Sequence, residues 1–202
     1  MKNIYRALTT ISVAVLAVAA VPNAKACGEF TPILNRSIAP ATYFALPSTL
    51  SMPATLDANG NPTIVGMWYV VWTSQGNAGI PDGTVTDFGI GHWHADSTEL
   101  YNSGGRAPST QNFCMGTWKQ NASGSYELNH FAYSYDATSG ALLNSVNIKE
   151  LVTVDSTGNS YTGTFGITIY DLSGVQVQKL TGNLAGSRLT VSSPVPPVPP
   201  GF

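Results

Sequence analysis

The sequence predicts an all-β protein, a closed eight-stranded antiparallel up-and-down barrel. Three observations lead there. Runs rich in β-branched and aromatic residues recur from Ile64 to Ser192, several alternating with period two. Short Gly-, Ser- and Asn-rich turns separate them at residues 121–124, 138–140, 156–159 and 172–174, as hairpins require. No stretch carries a helical period, and a meander of eight strands hides its edges most economically by closing on itself.

Residues 1–26 read as a secretory signal. Lys2 and Arg6 form a positive start, Ile11 to Val21 an apolar core, and Ala24-Lys25-Ala26 a small-x-small cleavage site. The expected location is therefore secreted or periplasmic, with a mature chain from Cys27. A lipid anchor on Cys27 is the alternative, disfavoured by Ala24 where such signals prefer Leu and by the charge of Lys25. The apolar run is too short for a membrane-spanning helix, and no later stretch approaches one, so no transmembrane segment is expected.

Residues 27–62 carry Pro32, Pro40, Pro47, Pro53 and Pro62, too closely spaced for a helix, and are expected to form an irregular arm. Cys27 and Cys114 are the two cysteines. Export favours a disulfide between them, pinning the arm to the barrel; a free reactive thiol is the alternative, with Lys119 the one basic residue nearby. The barrel domain spans residues 63–192, with strands expected at 64–72, 85–95, 113–119, 125–135, 145–155, 160–171, 175–181 and 187–192. The Gly-, Ser- and Pro-rich segment 102–112 is the longest break between them and a candidate lid. Residues 193–202 form a Pro-rich tail, expected to be extended and solvated.

Charged residues make up 10% of the chain, and Gly numbers 20. Loss of the signal leaves six basic residues against 11 acidic ones, a net charge of −5. Neither a basic excess nor a Lys/Arg cluster is present to neutralise a phosphate backbone, so no nucleic-acid partner is expected. Nucleophile-elbow, phosphate-loop and zinc-protease motifs are also missing.

Strand alternation divides each strand into two faces. Phe88, Ile90, His92 and His94 share one, opposite Asp87, Gly89, Gly91 and Trp93. Tyr126, Leu128 and His130 align, as do Val146, Ile148, Glu150, Val152 and Val154, and then Tyr161, Gly163, Phe165, Ile167 and Ile169. If each apolar set faces the interior, all three histidines and Glu150 go in with it. A transmembrane barrel would instead turn Glu150 toward lipid. Trp68 is expected as a barrel-floor plug, and Trp72, Trp93 and Trp118 as sheet-face residues.

Gly66-Met67-Trp68 on the first barrel strand, with Gly-x-Trp again at 116–118 and Gly-x-Phe at 163–165, resembles the lipocalin or calycin barrels. That resemblance implies a calycin-like barrel holding an apolar or aromatic small molecule. Phe88, Ile90, Tyr126, Leu128 and Phe165 are the expected ligand-binding side chains, with Arg106 a mouth residue for an anionic group. The segment His92-Trp93-His94-x4-Glu99 resembles the first motif of the cupins, metal-dependent β-barrel enzymes with three His and one Glu as ligands. His130 would supply the third histidine, and Glu99 and Glu150 compete for the fourth place. The cupin glycine spacing and second motif are absent. A divalent transition metal, Zn, Fe, Cu or Mn, is the candidate cofactor.

The leading expectation is a small-molecule-binding barrel with a His/Glu-lined apolar pocket, with metal or haem assistance left open. The alternative is an enzyme: a cupin-like metalloenzyme, or a metal-free cyclase, isomerase or dehydratase with His130 and Glu150 as acid/base pair. Adhesion and a purely structural role for the four side chains stand beside them, the latter opposed by the cost of burying Glu150 unpaired.

Overall fold

The computed structural model describes residues 55–202, so the expected signal, most of the arm and Cys27 lie outside the described residues. Eight strands follow in order: β1 (Gly66–Ser74), β2 (Val85–Trp93), β3 (Thr98–Ser103), β4 (Cys114–Gln120), β5 (Tyr126–Tyr135), β6 (Leu142–Val154), β7 (Ser160–Tyr170) and β8 (Gln176–Leu189). Each pairs antiparallel with the next, and β8 returns to β1 to close the barrel. The expected up-and-down fold is the one found.

Two boundaries differ from expectation and cancel in the count. The six-residue β3 was not foreseen, because Thr-Glu-Leu-Tyr-Asn-Ser is short and polar on its face. Conversely, the expected strands at 175–181 and 187–192 are one continuous strand, β8. Gly182 and Gly186 look like breaks in sequence, but they give Phe165 and Tyr161 room: a Cβ at either glycine would overlap those rings. Glycine in a strand often marks such a close approach.

The hairpin turns repeat one device. Asn121, Asp136, Asp155 and Asp171 each open a turn and accept backbone N–H bonds on the side-chain oxygen, from Ser123, Thr138, Asn159 and Ser173 at 2.9–3.1 Å. Each turn contains a glycine at positive φ: Gly124, Gly140, Gly158 and Gly174. The acidic or amide side chain substitutes for a backbone acceptor, and glycine takes the left-handed position without steric cost.

The floor of the barrel is aromatic. Trp68, wholly buried, plugs it as expected; its indole N–H donates to Ile64 O at 2.7 Å, and Tyr161 packs edge-on at 4.8 Å. Arg188 of β8 lies over the Trp68 ring at 4.1 Å and donates to the carbonyls of Thr63, Val65 and Gly158. Its cation thus ties the entry to β1 to the β6–β7 turn. Trp72 and Trp93 are 3% and 1% exposed and point inward, and Trp118 packs against Trp93 at 5.9 Å. Trp72 and Trp93 are core residues, not the sheet-face residues expected, and Trp118 is half-buried against that core.

The tail is not a solvated appendage. Tyr69 donates its O–H to Pro197 O at 2.7 Å, and the Phe202 ring stands edge-on to Phe88 at 5.1 Å. Residues 197–202 therefore lie along the outside of β1 and β2. This cover explains the apolar outer face of those two strands, where Tyr69, 5% exposed, and Phe88 are shielded from water without entering the core.

Candidate functional site

The burial alternation of β2 runs opposite to expectation. Asp87, Gly89, Gly91 and Trp93 face the interior, while Phe88, Ile90 and His92 face out; before them a bulge sets Val85 opposite Thr73 on the outer face, beside the tail. His94 continues the outer set, its ring centroid 4.0 Å from that of His92. Gly89 and Gly91 leave an interior gap that Tyr101 of β3 fills; a Cβ at Gly89 would meet the Tyr101 hydroxyl at 2.8 Å. Phe88 and Ile90 are thus not interior ligand contacts. For the other strands the expected faces hold: Tyr126, Leu128, His130, Ile148, Glu150, Val152, Phe165, Ile167 and Ile169 are buried inside.

The three histidines consequently do not meet. His92 and His94 lie outside, His130 inside, and the sheet separates them. Among the described residues no group of three or more His, Cys, Asp or Glu side chains is arranged to hold a metal. The cupin-like ligand set is not assembled. Cys114 is buried at the cavity wall; its expected partner Cys27 lies outside the described residues.

The interior does bring together Glu99 of β3, His130 of β5 and Glu150 of β6. His130 Nδ1 lies 3.1 Å from Glu99 Oε2, and Nε2 lies 3.7 Å from Glu150 Oε1. All three side chains are buried, His130 completely. Room for the imidazole comes from Gly116, directly opposite on β4, where a Cβ would overlap His130 Cβ. At 3.7 Å the Glu150 contact is an ion-pair approach, not a hydrogen bond, and Nε2 has no hydrogen-bond partner.

Electrostatics assigns the protons. Burial pushes the Glu150 carboxyl up to about 8, against the pull of the His130 charge and reinforced by Glu99. For His130, burial alone would lower the pKa, but the Glu99 charge and hydrogen bond, with Glu150, carry it above the usual value. Both shifts run the same way, toward the protonated forms of His130 and of Glu150. Glu150 has no hydrogen bond to the imidazole, so in this low-dielectric interior burial outweighs the attraction of His130 and favours its neutral form. Such an array can hold or transfer a proton at Glu150 and Nε2.

Above the cluster, toward the end where the β1–β2, β3–β4, β5–β6 and β7–β8 connections lie, an apolar cavity of about 40 Å³ opens to solvent. Its walls are Trp72, Tyr101, Ala132, Val146, Ile148, Ile167 and Ile169, and Asp87, Arg106, Gln111 and Ser134 add polar groups. Trp72 joins the two regions: it lines the cavity and stacks on the His130 ring, with centroids 6.2 Å apart and planes 8° from parallel. Glu99, His130 and Glu150 themselves do not line the cavity. Asp87 accepts from the Ser103 hydroxyl at 2.7 Å and the Phe88 N–H at 2.8 Å; burial pushes its carboxyl up, partly offset by the Arg106 charge.

Of the expected ligand residues, Arg106 lines the cavity, Phe165 packs under it against Trp72 at 4.7 Å, and Tyr126 and Leu128 sit deeper. Sequence reasoning missed Asp87, Trp72 and Tyr101, the first two through face assignments and the third through the unforeseen β3. No protein-family model matches this chain, and no curated protein matches it.

Proposed function

We propose that this protein is exported and binds an apolar small molecule of aromatic size in the open end of its barrel. The observation that supports the reading is the cavity itself: aromatic and β-branched walls with a few polar groups, the composition of small-molecule sites. Trp72 forms part of that wall, so its fluorescence reports occupancy.

The test uses the chain from Cys27 on, titrated with 1-anilinonaphthalene-8-sulfonate and with uncharged 2-naphthol. The expected result is one saturable site with energy transfer from tryptophan. Ala132→Trp, which fills the cavity, should remove it, whereas Phe131→Trp, the outward neighbour, should not. Failure of both probes to bind the parent chain overturns the reading, as does undiminished binding by an Ala132→Trp protein that melts cooperatively.

The Glu99–His130–Glu150 cluster favours a second reading, metal-free isomerisation, cyclisation or dehydration of the bound molecule. Here Glu150 would protonate the substrate as general acid, and the carboxylate left behind, beside His130, would accept the proton that the substrate loses, with Trp72 moving to admit the substrate. Ligand recovered chemically unchanged after long incubation argues for binding alone. Turnover that is lost in Glu150→Gln while probe binding persists argues for catalysis.

A further inference from the structure

The outer pair His92 and His94 is left unused by that reading. Both side chains leave the same face at the end of β2, half-buried, with ring centroids 4.0 Å apart and planes tilted by 38°. The His94 N–H donates to Thr98 O at 2.9 Å, which extends the ladder past the strand and keeps the i, i+2 geometry. On the neighbouring strand Met67 of β1 is the direct ladder partner of His92. It also points outward and is 45% exposed. Directly opposed residues have Cβ atoms about 4.5–5.5 Å apart, so a methionine sulfur on its flexible stem reaches the space in front of the His92 ring.

We infer that His92, His94 and Met67 form a copper-binding site on the outer surface of the barrel. Two imidazoles side by side on a strand can chelate one ion without rearranging the backbone. Among divalent first-row metals copper binds such nitrogen donors most strongly, and a soft thioether adds preference for Cu(I). Zinc gains little from the sulfur. Exposure leaves the remaining coordination positions to water. The site shares no residue with the interior cluster, so it stands or falls separately from the cavity.

The experiment titrates the chain from Cys27 on with Cu(II), followed by electron paramagnetic resonance, and with Cu(I) against bicinchoninate. About one copper per chain is expected, with nitrogen splitting from imidazole in the Cu(II) spectrum. His92→Asn with His94→Asn should abolish binding, and the single His94→Gln should weaken it if the double variant does not fold. Met67→Leu should spare Cu(II) and weaken Cu(I). His130→Gln should bind both as the parent does. The inference is overturned if the parent binds no copper, if the folded double variant retains it through other groups such as the amino terminus, or if His130→Gln loses it. Unchanged Cu(I) affinity in Met67→Leu removes the thioether from the site and overturns the three-ligand assignment.

Discussion

Replacing Glu150 by Gln should convert a barrel that weakens in alkali into one that weakens much less. The Glu150 carboxyl has an ordinary value of 4.5 and is raised to about 8 in the fold. Between those values the folded chain holds a proton that the unfolded chain has released, so stability falls as pH rises through the window and levels off above it. At about 1.4 kcal/mol per unit the whole span costs about 5 kcal/mol, a ceiling set by treating the cluster as independent groups. His130, raised above 6.5, acts in the same direction: its stabilisation is complete below the unfolded value and is lost as pH climbs through the folded one. Glutamine keeps the shape and the neutral charge of the protonated acid, which removes the Glu150 contribution and leaves that of His130. Urea unfolding midpoints of parent and Glu150→Gln should therefore be close near pH 5 and diverge toward pH 9, with the variant ahead. In melting temperature the divergence is of order 10 °C for a chain of this size. Turn carboxylates such as Asp136, held low by the backbone N–H and hydroxyl of Ser139, govern a separate loss below their own low values and leave this window untouched. Parallel profiles from pH 5 to 9 would refute the protonated Glu150 and with it the proton assignment of the cluster.

Three further substitutions probe the supports of the site. Gly116→Ala places a methyl against His130 Cβ and Leu128 and should cost about 1–3 kcal/mol through overpacking, read from urea unfolding; an unchanged midpoint would show that β4 and β5 separate freely there. Arg188→Met removes the donors to three carbonyls and the cation over Trp68, so a loss of about 3 kcal/mol is expected, and a melting temperature within a degree or two of the parent would contradict the floor clamp. Deleting residues 194–202 should uncover Tyr69, whose phenol burial now holds above its usual range, and ultraviolet titration should find it shifted down toward 10; an unmoved value would place the tail elsewhere in solution.

Much of the barrel was legible because β1, β5, β6 and β7 are long and apolar on one face, and Asn/Asp and Gly turns bound the later hairpins. The inward placement of His130 and Glu150 followed from the same alternation. Contact with Glu99 was not legible: it depends on β3, whose Glu99, Tyr101 and Ser103 form an inward face too polar and too short to read as buried. The outward face of β2 was misread for a linked reason. Hydrophobicity ranks Phe88 and Ile90 above Gly89 and Gly91, and no neighbouring sequence announces that a proline-rich tail will cover the former.

The two misreadings reduce to one physical problem. A glycine-lined strand face belongs inside only when a neighbouring strand supplies a side chain to fill the space, and here that side chain is Tyr101. Without β3 the glycine face has nothing to pack against, and the apolar face is forced inward, carrying His92 and His94 with it. Once β3 is in place, the parity of β2 reverses and the apparent three-histidine set divides. His130 stays between two glutamates where burial controls its protons, while His92 and His94 meet water beside a methionine. The Glu–His–Glu cluster and the outer histidine pair, which the linear spacing merges into one motif, fall on opposite sides of the same sheet.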